Sequence, residues 1–199
     1  MITFMIATFA LGASLILAGT PAGAVSAATS PAAGASAEAG ATRTVSFRGL
    51  VIRIPAAWKT RKEYGELRVT TGACSKRAAE CPGFSLKGPQ GIKYAYEGGP
   101  YRLGQPYHPS TGVMECVPVK KYMNGALPTR PARSMNVEVG GVAARFTEWR
   151  LPCVTQQGKP TSASYTQRVW YLKAKKVLVV DHWRTPGLAK ILKNAVWSG

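Results

Sequence analysis

Cys74, Cys81, Cys116 and Cys153 are the four cysteines of this chain, and they restrict its fold more than any other feature once the amino terminus is read. Residues 2–18 form one apolar segment, followed by the small-residue stretch TPAGAVSAATS with cleavage-like triplets at Ala22-Gly23-Ala24 and Val25-Ser26-Ala27. That is the layout of a secretory signal peptide over 1–27, cleaved near Ala24 to Ala28. The rival reading is an uncleaved anchor, but a spanning helix needs about 20 apolar residues, and this run is shorter and rich in Thr, Ser and Gly. In Leu17-Ala18-Gly19-Thr20 a threonine stands where a lipidated cysteine would be, and a thioether needs a thiol, so a lipoprotein is not expected. Export to an oxidising compartment makes disulfides the default for an even number of cysteines. Three pairings are possible. We favour Cys74–Cys81, whose short loop GACSKRAAECPG has Gly and Pro flanks suited to a turn, and therefore Cys116–Cys153. A zinc site fits poorly, because the Cys74 to Cys81 spacing is wider than structural zinc sites use and neither histidine lies nearby. A redox role would be signalled by C-x-x-C, which is absent.

Residues 28–42, ATSPAAGASAEAGAT, hold nothing that can build a core and read as a flexible tether. One domain over 43–199 remains. All 26 basic residues lie at or after Arg43, against nine acidic residues in the whole chain, for a net charge of +17. Such a field attracts polyanions, which outside a cell means anionic cell-wall polymers, membrane surfaces or acidic polysaccharides. The alternative is that the charge serves solubility alone. The basic residues are scattered, without an Arg-rich helix or zinc-finger spacing, so sequence-specific nucleic-acid recognition is not expected.

Branched and aromatic runs separated by turn signals dominate the domain. VSFRG (45–49) and LVIRIP (50–55) read as strands around a tight turn at Arg48-Gly49, with Leu50, Ile52 and Ile54 on one face and Trp58 covering the core's edge. ELRVTT (66–71) and GIKYAYE (91–97) are further strand candidates, and MECVPVKKYM is a weaker one. Gly140-Gly141 marks a hairpin between MNVEV and VAARFTEWRL, and KAKK marks another between YTQRVWYL (165–172) and VLVVDHW (177–183). In TPGLAKILKNAVWS, Thr185 suits a cap, Pro186 the first helical position, and Leu188, Ile191, Leu192, Ala195 and Val196 one helical face. The expected fold is α+β: an antiparallel sheet with packed helices, closed by a C-terminal amphipathic helix.

F-x-G-L-x-I-x-I-P-x-x-W near residue 47, V-x-V-G-G-V-A-A-R near 137, the R-x-W-Y-L…V-L-V-V hairpin and the closing helix resemble the PsbP-like fold. That fold occurs in a photosystem extrinsic protein, a Ran-binding nuclear-import factor and LpqN-type secreted proteins of high-GC Gram-positive bacteria. The resemblance covers most of 45–198 and implies a sandwich serving as a non-enzymatic binding or accessory domain, with no catalytic residues to carry over.

A hydrolase would need a nucleophile, a base and an orienter. The two histidines are His108 and His182. Asp181 and His182 are neighbours in a strand and should point to opposite faces, no G-x-S-x-G elbow is present, and no phosphate loop has the required context. No enzyme activity, cofactor or metal is expected. For binding, Tyr94, Tyr96 and Tyr101 interleave with Lys93 and Arg102, and Lys120-Lys121 and Lys173, Lys175 and Lys176 form the basic clusters. Aromatics with cations can stack on sugars and pair with phosphates. These are the candidate contacts for an anionic envelope polymer. A protein partner or inhibitor target is the alternative.

Overall fold

A computed structural model of the chain describes residues 40–198. The expected signal peptide and most of the expected tether lie outside the described residues. The first strand, β1 (Thr42–Phe47), pairs with β2 (Leu50–Pro55) around Arg48-Gly49, where both residues have positive φ. Next come β3 (Lys59–Glu63), β4 (Glu66–Thr70), β5 (Gly83–Lys87), α1 (Pro89–Lys93), β6 (Met123–Asn124), β7 (Arg133–Val139) and β8 (Val142–Val154). The remainder is β9 (Pro160–Leu172), β10 (Val177–Asp181), α2 (Leu188–Lys193) and β11 (Val196–Trp197). β1, β2 and β11 form a small sheet. The large sheet runs β3-β4-β5-β10-β9-β8-β6, with β7 also pairing with β8, and every pairing is antiparallel.

Alternation along each strand sets what faces inward. Leu50, Ile52 and Ile54 of β2 cluster with Leu67, Val69, Phe84, Leu86, Phe146, Trp170, Val177 and Val179 on one face of the large sheet. Trp58 meets Phe84 edge-on at this core's margin. α2 adds Leu188 and Leu192. The opposite face carries a second cluster, in which the segment after α1 lays Ala95 and Tyr101 over Trp149, Val169, Leu178 and Val180. β10 is therefore buried at every position, covered on both faces. Each fully buried Leu, Ile or Phe contributes about 1.5–3 kcal/mol, so the two clusters supply most of the driving force. Gly83 opens β5 at φ 146, where an added Cβ would lie 1.9 Å from the Val69 carbonyl oxygen, so the β4–β5 pairing requires glycine there.

The α+β expectation does not hold. The described residues are 46% strand and 9% helix, with no helix of seven or more residues, and the fold is essentially all-β. The expected closing helix shrinks to the six residues of α2. Its cap is Gly187 in the left-handed region, because the Thr185 hydroxyl is engaged instead by Asp181. It ends at Asn194, and Val196 and Trp197 leave the helical face to pair with Val51 and Leu50 of β2. Conversely, part of the expected strand at 91–97 is helical in α1, because Pro89 has no N–H to give a ladder and suits a first helical turn. MECVPVKKYM contributes no strand beyond Met123 in β6. Both hairpins form where the turn residues place them, with β8 and β9 each 13 residues long.

Candidate functional site

Two disulfides, Cys74–Cys81 and Cys116–Cys153, join the cysteines in the favoured pairing, with Cα–Cα separations of 4.5 and 5.7 Å. They point to an oxidising, extracytoplasmic compartment. Cys116 and Cys153 are buried, pinning the segment before β6 to the end of β8, while Cys74 lies at the surface. The two tied loops are joined by backbone hydrogen bonds: Ala79 N–H donates to Val117 O (2.9 Å) and Lys120 N–H to Arg77 O (2.8 Å). Tight local bonds hold the second loop's shape, Cys116 N–H to Tyr122 O (2.8 Å) and Tyr122 N–H to Val119 O (2.9 Å). Between the loops lies a basic cleft of about 780 Å³ walled by Lys76, Arg77, Lys120 and Lys121, with Pro118 and Tyr122 among its lining and no carboxylate among those residues. The Lys121 ammonium sits 4.9 Å from the Tyr122 ring centre.

The other predicted contacts do not join this cleft. Lys173 shares a separate hollow with Arg145, Tyr171 and Leu103, at the start of β8, whereas the Lys120 cleft lies near its Cys153 end. Eight residues of strand, about 25 Å, separate Arg145 from Cys153. Lys175 caps the Trp197 ring at 5.0 Å, and Lys176, in the left-handed region, closes the β9–β10 tip. Lys93 folds over the Tyr94 ring at 5.2 Å and both are exposed, as is Arg102. Tyr96 is half-buried in bridges to Gly99 and His108. Tyr101 is buried against Tyr171, and burial pushes its phenol up to about 12, so it belongs to the core and not to a contact surface.

Sequence reasoning missed Lys76 and Arg77. Both were visible inside the Cys74–Cys81 loop, but only the hydrogen bonds to a loop some forty residues away make them neighbours of Lys120. It also missed a second, polar cleft of about 560 Å³ over β4, β5 and β10 on the face opposite β2. There Lys87, 7% exposed, forms an ion pair with Glu66, and Arg68 donates to Glu80 Oε2 (3.1 Å), Ser85 Oγ (3.1 Å) and Cys81 O (2.6 Å). Burial pushes the Lys87 ammonium down, and Glu66 offsets only part of that effect. Gln167 is fixed by Tyr107, accepting from its N–H (2.7 Å) and donating to its carbonyl (2.8 Å). With the amide so oriented, it also offers an N–H to His182 Nε2 (3.1 Å), and in the neutral imidazole Nδ1–H donates to Glu80 (3.2 Å). Asp181, on the opposite face as the alternation requires, is engaged with Arg168, so Asp181 and His182 form no dyad.

Burial alone would push the Glu80 carboxyl up, but the His182 ring and the Arg68 guanidinium outweigh it and hold the group at about 2. In the unfolded chain the carboxyl takes up its proton nearer 4.5. The unfolded state therefore binds more protons between these values, and the stabilisation is fully present above about pH 4.5 and disappears as the pH falls towards 2. Urea unfolding between pH 6 and 2.5 should show the loss, about 2 kcal/mol in size, and Glu80→Gln should flatten that part of the profile. An unchanged slope in the variant would remove Glu80 from the account.

No protein-family model, no curated protein and no solved structure matches this chain, so the two clefts are read from their own chemistry.

Proposed function

We propose that the chain is an exported, non-enzymatic binding domain, released from a signal peptide, whose basic cleft holds an anionic polymer of the cell envelope. The observation that carries this reading is the convergence of Lys76, Arg77, Lys120 and Lys121 on one cross-linked, carboxylate-free cleft. Elsewhere, four carboxylates pair with Arg61, Lys87, Arg68 and Arg168, and most of the 26 basic side chains have no such partner among the described residues. A rigid cluster gains from this, because the cations are already gathered and neutralising polymer charges releases counterions.

The test is co-sedimentation of the mature protein with cell walls, with and without their anionic polymers, across a salt series. Binding should require the polymer, fall steeply with salt, and drop about tenfold or more in Lys120→Glu/Lys121→Glu. Absence of binding at low salt, or a double variant that binds like the parent, overturns the proposal. Binding that ignores salt would instead favour a protein partner.

A further inference from the structure

We propose that the polar cleft over β4, β5 and β10 is a binding site for an uncharged sugar ring of a neutral oligosaccharide. The argument starts from its charge. The protein carries +17, yet this cleft is internally balanced: Arg61 with Glu63, Arg68 with Glu80 and Lys87 with Glu66 all line it. Three of the four Lys/Arg–carboxylate pairs among the described residues are gathered here. A charged ligand therefore gains little, since each ion it could meet is already neutralised.

Such a lining is also poor material for stability alone. A buried ion pair is on average no better than apolar residues of the same volume, and the other half of this sheet face is in fact apolar, with Trp149, Val169 and Leu178 covered by Ala95 and Tyr101. What the lining offers instead is a dense set of acceptors and donors beside phenol rings. Each hydroxyl of a sugar is both donor and acceptor, so it needs carboxylate or amide oxygens (Glu66, Glu80, Asn124) and N–H groups (Lys87, Arg68) within one cleft. Tyr107 and Tyr165 lie in its wall, and Tyr64 stands at its rim, 89% exposed on the β3–β4 turn at φ 47. A bulky aromatic held in the left-handed region without burying itself is an unfavourable choice for a turn, and it is well placed to stack on a sugar face. A peptide fits less well. β4, β5 and β10, which floor the cleft, are paired on both sides, so a peptide backbone could join the sheet only along the β3 edge beside Arg61 and Glu63 and not across the floor.

The site is independent of polymer binding at the basic cleft, and the experiment separates them. The mature protein is applied to an array of neutral hexose and N-acetylhexosamine oligosaccharides in about 1 M NaCl, where screening leaves a Debye length of about 3 Å. Retention of at least one oligosaccharide is expected, weakened about tenfold in Tyr64→Ala, whose side chain is too exposed to matter for folding, and unchanged in Lys120→Glu/Lys121→Glu. Glu66→Gln, with near-UV circular dichroism as the check on folding, should weaken it comparably. No retained oligosaccharide, or retention that Tyr64→Ala leaves intact, overturns the inference. Loss in the lysine variants alone would also overturn it, assigning any sugar contact to the basic cleft.

Discussion

Asp181→Ala is expected to remove about 3–5 kcal/mol of stability, read as a large fall in the urea midpoint. Asp181 is the one aspartate of the chain and is fully buried at the end of β10. Its carboxylate accepts from Arg168 Nε (2.8 Å), Trp183 N–H (3.0 Å), Thr185 N–H (3.1 Å) and the Thr185 hydroxyl (3.1 Å). Arg168 in turn donates to Thr185 O (2.8 Å) and lies 5.4 Å from the Trp170 ring centre. One side chain thus ties β9, β10 and the turn into α2. Truncation strands a guanidinium whose side chain is only 15% exposed and leaves two backbone donors without their acceptor. Adding Arg168→Met should recover part of the loss, because the stranded charge is gone while the N–H groups of Trp183 and Thr185 remain unpaired. A loss below about 1 kcal/mol, the size of an ordinary hydrogen bond, would show that water or Glu148, opposite Arg168 in the register, replaces the missing partner.

The second large effect concerns the longer disulfide. Cys116→Ser/Cys153→Ser should destabilise by about 4 kcal/mol, against about 2.5 kcal/mol for Cys74→Ser/Cys81→Ser, because the closed loops span sequence separations of 37 and 7. The difference has a structural counterpart. Cys116–Cys153 holds the far end of the segment that lays Ala95 and Tyr101 on the second core, and its cysteines are buried. The shorter loop carries no residue of either core cluster, but supplies Lys76 and Arg77 to the basic cleft and Glu80 to the polar one. Removing the short bridge should therefore leave the fold standing while weakening polymer binding. Denaturation of each double variant, beside its co-sedimentation, checks both parts. Equal losses would mean that loop length is not the governing term.

The hairpins and much of the core were legible because local chemistry and fold agree. Gly140-Gly141 takes the positive φ that a tight hairpin needs, and Leu50, Ile52 and Ile54 alternate onto one face. β5 was overlooked although Phe84 and Leu86 alternate with Ser85 and Lys87, since five residues behind Pro82 are a weak signal beside the disulfide loop. The helix was overread because a face repeating from Leu188 to Val196 says nothing about the competing strand partner that Leu50 and Val51 offer. The polar cleft had no sequence signature at all. Glu66, Glu80, Lys87 and His182 come from four segments, joined only by the register of β4, β5 and β10 and by the loop Cys74–Cys81.

By itself, then, the sequence determined the hairpin turns, the excess of positive charge and which strand residues share a face, while of the three possible cysteine pairings it only favoured the one that the structure contains. These follow from local geometry and composition, which any fold of this chain must respect. Only the tertiary structure decided what lies above each face. A period of two says that Lys87 and Leu86 point to opposite sides, but not that Leu86 meets the small sheet while Lys87 lines an open cleft. That depends on a segment crossing the β8–β9–β10 half of the sheet and sparing the β4–β5 half. Its path is set by long-range contacts and a disulfide spanning 37 residues, beyond the reach of local pattern.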